Sequence, residues 1–211
     1  NNPDGALSGG SLRVTGIAVP QELIASDENA GQQLQQLGYT SGLNFNLVIE
    51  GTYDDASQAL TLTAFDIDGK DMGKFSLTGT FGGLPRETLQ DPDKTDELAA
   101  TATIHTLTMR FDNTGIVERV LDMQGKAMGV TGAQFGEQIA AGLPLMLNFL
   151  GNPAFQEKVA SAAGTFLKEP KSITVTATPA APVPVMQVVG AAQTAPQTIP
   201  DILSVGITAN D

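Results

Sequence analysis

The chain has 211 residues, and its 11 Lys and Arg against 23 Asp and Glu give a formal net charge of −12 at pH 7. That balance excludes nucleic-acid binding through clustered cations and disfavours attraction to an anionic membrane surface. The absence of cysteine excludes disulfides, thiolate metal sites and a cysteine nucleophile. No run approaches the ~20 apolar residues of a membrane span, so no transmembrane segment is expected.

The first part of the chain predicts one strand and one or two short helices. Residues 1–10 are rich in Asn, Gly and Ser, and we expect them to be loose. Residues 11–19 alternate as a strand that Pro20 stops. A Gln- and Glu-rich segment follows over residues 21–37. Ser26 and Asp27 are candidate helix caps within it, and Gly38 is where the helical segment should end. We expect one or two helices there.

Residues 44–83 alternate with a period of two, the spacing that places apolar side chains on one face of a strand. Turn residues at 54–57 and 68–70 divide the stretch, which predicts a three-stranded antiparallel meander. Because a sheet with one apolar face must cover it, we expect the later helices to lie on that face. The residues that share the apolar parity are Phe45, Leu47, Ile49, Tyr53, Leu60, Leu62, Ala64, Phe75, Leu77 and Phe81.

Residues 84–100 form the most polar segment, which Pro85 and Pro92 interrupt. We interpret it as an exposed connection or a short helix, and as the place where the domain would divide if it divides at all. Alternation resumes over 101–112, which predicts a strand, and a turn follows at 112–115.

From Ile116 onward the apolar spacing changes to three and four residues, which predicts helices. A short helix over 116–128 precedes a strongly apolar helix over 135–150, which we expect to be kinked or broken at Pro144. Asn152-Pro153 is a helix start signal, with Asn as the cap and Pro in the first turn.

The end of the chain returns to strands. A strand is predicted over 172–178, an extended segment over 179–184, a helix over 185–195 and a closing strand over 203–209. Strands, helices and strands in that order favour a single α+β domain spanning 1–211. We predict an antiparallel, strongly curved sheet packed against apolar helices from the C-terminal half.

The charged residues suggest no metal site or catalytic site. Asp66, Asp68, Gly69 and Asp71 resemble part of a calcium loop, but no Glu stands at the twelfth position. His105 is the single histidine, and no nucleophile accompanies it. We therefore predict no catalytic residue, no metal and no cofactor. A hydrolase with His105 as its base is the third-ranked hypothesis.

The excess of apolar helix is the feature that points to a function. One interpretation is that these residues fill the core under a curved sheet. The other is a pocket or groove for an acyl chain or a similar ligand between the helices and the sheet. The residues that we predict to bind such a ligand are Leu143, Met146, Leu147, Leu150, Val185, Met186 and Val189.

Three stretches carry a resemblance to known proteins: Leu37-Gly38-Tyr39, Tyr53-Asp54 before Leu60-Thr61-Leu62, and residues 71–77. Together with residues 166–184, they resemble uncharacterised proteobacterial envelope proteins and are loosely similar to repeats of the AsmA-like family. The resemblance implies a periplasmic location, no catalysis, and a role in envelope maintenance or lipid handling. It assigns no role to any individual residue.

The leading hypothesis is a non-enzymatic, exported bacterial envelope protein that binds a lipid or another apolar ligand. The composition, acidic with few charged residues, agrees with export. The alternative is a structural or protein-interaction module of the envelope without a small-molecule ligand. No nucleic-acid partner is expected, because there is no Trp and aromatic residues make up 5% of the chain.

Overall fold

The computed structural model describes residues 8–211, apart from the side chains of Glu28 and Pro92. Its centre is one open antiparallel sheet with the strand order β1-β2-β3-β4-β5-β6-β8, and β7 pairs with one end of β5. The strands are β1 Gly9–Val19, β2 Leu43–Asp54, β3 Ala59–Gly69, β4 Gly73–Gly82, β5 Thr103–Asn113, β6 Ser172–Ala177, β7 Val183–Pro184 and β8 Val205–Ala209. The predicted α+β class is confirmed.

The helices lie between the strands in four groups: between β1 and β2, between β4 and β5, between β5 and β6, and between β7 and β8. They are α1 Gln21–Ala25, α2 Glu28–Gln36, α3 Arg86–Leu89, α4 Thr95–Thr101, α5 Ile116–Ala127, α6 Gly132–Met146, α7 Pro153–Lys168, α8 Val185–Thr194 and α9 Ile199–Ile202. Short 3₁₀ turns occupy Pro92–Lys94, Leu147–Leu150 and Pro196–Thr198.

Local sequence signals set several helix starts. The Asp27 side chain accepts hydrogen bonds from the backbone N–H groups of Asn29 and Ala30 and so caps α2, as predicted. Asn152 accepts one from Phe155 N–H at the start of α7, which is also as predicted. Thr131 and Gln134 form a reciprocal capping box at the start of α6.

Bulges interrupt each of the first four strand pairings, and bulges bend strands and increase their twist. The bulge in β3 corrects one expectation about side-chain direction. Ala64 pairs with Glu50 on the polar face, whereas Phe65 pairs with Ile49 on the apolar face. The extra residue in the strand shifts the alternation by one position.

The helices cover one side of the sheet. Helix α7 packs on β6 and β8, and α6 lies between α5 and α7. Phe166 of α7 meets Phe111 of β5 edge-on, with ring centroids 6.5 Å apart. The predicted helix cover is therefore present over β5, β6 and β8. We call these three strands, together with α5–α7, the covered half. We call β1–β4 the open half.

Several boundaries differ from the sequence predictions. Helix α6 is not broken at Pro144 but continues to Met146, where a 3₁₀ turn begins. The segment 84–100 forms α3 and most of α4, and helix α9 precedes the last strand, which starts at Val205. Residues 1–7 of the expected loose start lie outside the described residues, whereas Gly9 and Gly10 belong to β1.

Candidate functional site

Two rows of apolar side chains cross the whole sheet on the same face. The strand registers align seven strands, so each row receives one residue from each strand. One row consists of Leu12, Ile49, Phe65, Leu77, Met109, Val175 and Ile207. The other consists of Val14, Leu47, Ile67, Phe75, Phe111, Ile173 and Ala209.

The opposite face of the sheet carries hydroxyl groups and ion pairs. Arg13 lies 3.2 Å from Glu50, and Lys74 lies 2.9 Å from Asp66. Burial raises the pKa of the Asp66 carboxyl, but hydrogen bonds from Lys74 and Ser76 outweigh burial, and the pKa lies below its ordinary value. The two faces therefore differ in polarity, although Val48 also lies on the polar face between Arg13 and Asp66.

The apolar face of the open half stays accessible. In β1–β4, all of whose residues the structure describes, no large apolar side chain is fully buried. Leu12 is 52% exposed, and Val14 and Ile67 are each 38% exposed. Every residue of β1 from Gly9 to Ala18 is exposed, so neither face of this strand is covered.

A tyrosine and an arginine fasten the polar segment 84–100 to the open half. The Tyr53 hydroxyl donates to the Leu84 carbonyl oxygen at 2.6 Å, and the Arg86 guanidinium lies 4.6 Å from the Tyr53 ring centroid. Arg86 also donates to both carboxylate oxygens of Asp55. These hydrogen bonds lower the pKa of the Asp55 carboxyl.

The same combination occurs at the opposite end of the strands. The Tyr39 hydroxyl donates to the Asp71 carbonyl oxygen at 2.8 Å, and Arg119 of α5 lies 4.9 Å from the Tyr39 ring centroid. Arg119 donates to the Leu37 carbonyl oxygen as well. Burial raises the pKa of the Tyr39 hydroxyl. At each end of the strands, a neighbouring segment is thus fastened to the sheet by hydrogen bonds. Between these two ends, the apolar face is exposed along β1.

At the other edge of the sheet, residues of α7 and β8 line a cleft of about 630 Å³. Ile207 and Ala209, the last members of the two apolar rows, line it together with Ala154, Ala162 and Thr165. Glu157 and Lys158 stand at this cleft as its charged residues. The apolar rows are therefore exposed at the β1 edge, whereas their last members are half-buried beside this cleft.

The seven residues predicted to bind an apolar ligand fall into two groups. Leu143, Met146, Leu147 and Leu150 lie on α6 and the 3₁₀ turn after it, and Val185, Met186 and Val189 lie on α8. Leu143 is buried, Met146 and Met186 are more than half exposed, and Val189 is exposed. The Asn152 amide, which donates to the Gln197 carbonyl oxygen at 3.0 Å, joins the segments that follow the two groups.

Sequence reasoning did not select the residues of the open face. Leu12 and Val14 were visible as strand residues, but their membership of a row across seven strands depends on the register. Likewise, Leu145 and Phe149 were visible as apolar residues of the α6 segment. An all-round apolar helix has no polar stripe to show which side chains point outward.

The remaining polar candidates from the sequence are His105 and the acidic residues that resemble part of a calcium loop. The His105 Nε2 lies 3.2 Å from the Thr103 hydroxyl, beside the bulge where Phe81 pairs with Ile104. Among residues 8–211, no group of three or more His, Asp or Glu side chains has an arrangement suited to holding a metal ion. Asp66, one of the acidic residues that resemble a calcium loop, forms an ion pair with Lys74.

No helix within residues 8–211 combines the length and apolarity needed to cross a bilayer. Comparison with known proteins gives no match to a curated protein and none to a solved structure. A family model described as "Uncharacterized protein" matches residues 66–210, from the middle of β3 to the residue after β8. The match covers more than half of the chain, which therefore belongs to this family of uncharacterized proteins.

Proposed function

We propose that this chain is a non-enzymatic, exported envelope protein that binds a lipid or another apolar ligand on the apolar face of the open half. The observation that carries the proposal is the accessibility of the two apolar rows along β1–β4. An exposed apolar surface of this kind marks a binding site, because leaving it in water costs free energy.

The shape of the face agrees with a long, apolar ligand. Each row presents large aliphatic or aromatic side chains in every strand of the open half, and neither row contains a polar residue. An acyl chain needs no hydrogen-bond partner and can lie across successive strands. The opposite face carries ion pairs, which would give an acyl chain no comparable apolar contact.

The test is to purify the full chain and analyse it by native mass spectrometry and by organic extraction. We expect a co-purifying lipid and saturable binding of a neutral, pyrene-labelled monoacylglycerol. Replacing Leu12 and Ile67 with Asn should weaken that binding by about tenfold or more, because each side chain loses an apolar contact of roughly 1 kcal/mol.

The matched control replaces Ser11 and Thr61 with Asn, on the opposite face of the same two strands. This control should bind the probe as the unaltered protein does. A chain that is empty after purification and does not bind the probe saturably would contradict the proposal. Equal weakening by both double variants would contradict the assignment of the ligand to the apolar face.

The alternative function, an envelope interaction module, is favoured by one separate observation. Strand β1 lies at the edge of the sheet with its outer backbone groups available for another strand, and Arg13 is its one charged residue. Pull-down from envelope extracts followed by hydrogen-exchange measurement would show protection of β1 amides if a partner strand pairs there. Fractionation of cells that produce the natural protein tests the exported location.

A further inference from the structure

The two most exposed large apolar side chains of residues 8–211, Phe149 and Leu145, lie together at the end of α6, and Met146 lies between them in the sequence. Phe149 is 80% exposed, Leu145 77% and Met146 61%. Gly151, in the left-handed conformation with φ 64°, reverses the chain after the 3₁₀ turn and begins the return into α7. We call residues 143–151 the α6 tip. Its exposed side chains, Leu145, Met146 and Phe149, lie at a helix end, whereas Leu143 is buried.

The α6 tip lies in a segment without charged residues, although the chain as a whole is strongly acidic. Residues 138–156 contain no Asp, Glu, Lys, Arg or His, and neither do residues 172–200, which include α8. The Asn152 amide connects these two segments by its hydrogen bond to the Gln197 carbonyl oxygen. A net charge of −12 is thus carried by other parts of the molecule.

Hydrogen bonds within the protein engage several polar groups of the α6 tip and of the residues that follow it. Gln156 donates to the Pro144 carbonyl oxygen at 2.6 Å and to the Asn148 side-chain oxygen at 2.9 Å. Asn152 accepts from Phe155 N–H and donates to Asp201. Internal pairing of this kind lowers the cost of moving a surface out of water, since unpaired polar groups are expensive in an apolar medium.

We propose that the α6 tip docks the protein on the surface of an electrically neutral lipid bilayer. A projecting cluster of Leu, Met and Phe can enter a deformable acyl and headgroup boundary, whereas a rigid protein partner would need a matching cavity. The lack of charged residues within 138–156 suits zwitterionic headgroups, and the acidic remainder of the chain, including Asp201 beside Asn152, disfavours anionic ones. The purpose of docking, loading a lipid onto the open half, rests on the proposed function.

The test is flotation of the full chain with vesicles in a density gradient. We expect the protein to float with phosphatidylcholine vesicles, and to float less well when phosphatidylglycerol is added at low salt. Replacing Leu145 and Phe149 with Glu should weaken vesicle binding by about tenfold or more, because the new charges cannot enter the boundary. The milder Leu145→Ser, Phe149→Ser variant should weaken it as well.

The matched control is Leu23→Glu, at a side chain that is 64% exposed on α1. Circular dichroism checks that each variant is folded. The proposal is overturned if the unaltered chain does not float, or if the tip variants float as it does. It is also overturned if the chain is a dimer that the tip variants convert to a monomer, since the tip would then be a protein interface.

Flotation measures docking on the bilayer, and the pyrene-labelled monoacylglycerol measures lipid binding, so the two proposals can fail independently. A chain that binds the pyrene-labelled monoacylglycerol but does not float fails the docking proposal alone. A chain that floats but does not bind the probe fails the proposed function alone.

Discussion

The two halves of the sheet share one apolar pattern but differ in what lies on it. In the covered half, α7 packs on β6 and β8, and Phe166 meets Phe111. In the open half the same rows continue to Leu12 and Val14 at the edge of the sheet, where both side chains are exposed. An apolar strand face therefore does not by itself imply burial.

The difference separates stability from function. Four buried apolar residues of the described chain, Leu121, Leu143, Ala162 and Ala177, lie in the covered half, and Ile24, Tyr39, Leu84 and Val183 lie outside it, but none lies on β1–β4. Burial should thus contribute folding free energy in the covered half and in the segments that flank β1–β4, but less within β1–β4 themselves. The open half retains apolar surface that is available for binding.

The largest expected effect compares one leucine from each half. Leu121 on α5 is 7% exposed, and Leu121→Ala should lower the free energy of unfolding by about 2–5 kcal/mol through lost burial and a residual cavity. Leu12→Ala should lower it by less than about 1 kcal/mol, because the side chain is half exposed. Urea unfolding followed by circular dichroism measures both. Equal losses would mean that the open half is covered in solution.

A smaller effect is expected from adding one methyl group to a glycine in each half. A Cβ at Gly136 would lie 2.7 Å from the Leu167 carbonyl oxygen, so Gly136→Ala should push α6 away from α7 and cost about 1–3 kcal/mol. A Cβ at Gly10 in β1 would meet nothing within 4 Å. Thermal unfolding should show a lower midpoint for Gly136→Ala and little change for Gly10→Ala. The reverse order would contradict the assignment of close packing to the α6–α7 contact.

The smallest effect concerns acid stability. Hydrogen bonds from Thr208 first, then from Thr174 and Arg110, lower the pKa of Asp211 below its usual 3.8. A carboxyl with a lowered pKa in the folded state stabilises fully above the unfolded pKa, and this contribution is lost as pH falls through the folded value. Asp211→Asn should therefore reduce the loss of stability below about pH 4, by no more than about 1 kcal/mol because solvent screens this site.

Asp66→Asn gives the corresponding measurement in the open half, where the carboxyl pKa is also lowered. Urea unfolding at a series of pH values measures both variants. An unchanged pH dependence in both would contradict a stabilising role for these carboxylates.

Much of the local structure was predictable from short-range signals. The alternation around Phe75 and Leu77 located a strand, and Asn152-Pro153 located the start of α7. The prediction failed at Ala64, because a bulge is a property of two paired strands and leaves no local mark in one of them. It also allowed a break in the apolar helix at Pro144, whereas α6 continues through Pro144 to Met146.

The candidate site was less predictable. Met146 and Met186 were selected for their apolar surroundings, and both are exposed, but Leu145 and Phe149 at the tip were not selected. Leu143 and Phe149 differ little in the sequence, since a helix that is apolar on all sides has no preferred inner face. Which of them is buried depends on where α7 packs.

The sequence by itself determined the periods of two and of three to four residues, the main turn and cap positions, and the distribution of charge. These depend on neighbours within a few positions, which steric and hydrogen-bonding rules connect directly. The tertiary structure alone decided that β5 pairs with β6 and β6 with β8, that seven strands align two apolar rows, and that helices cover one half of them. Such contacts join residues far apart in the chain, and they are selected by the packing of the whole domain, which no local pattern encodes.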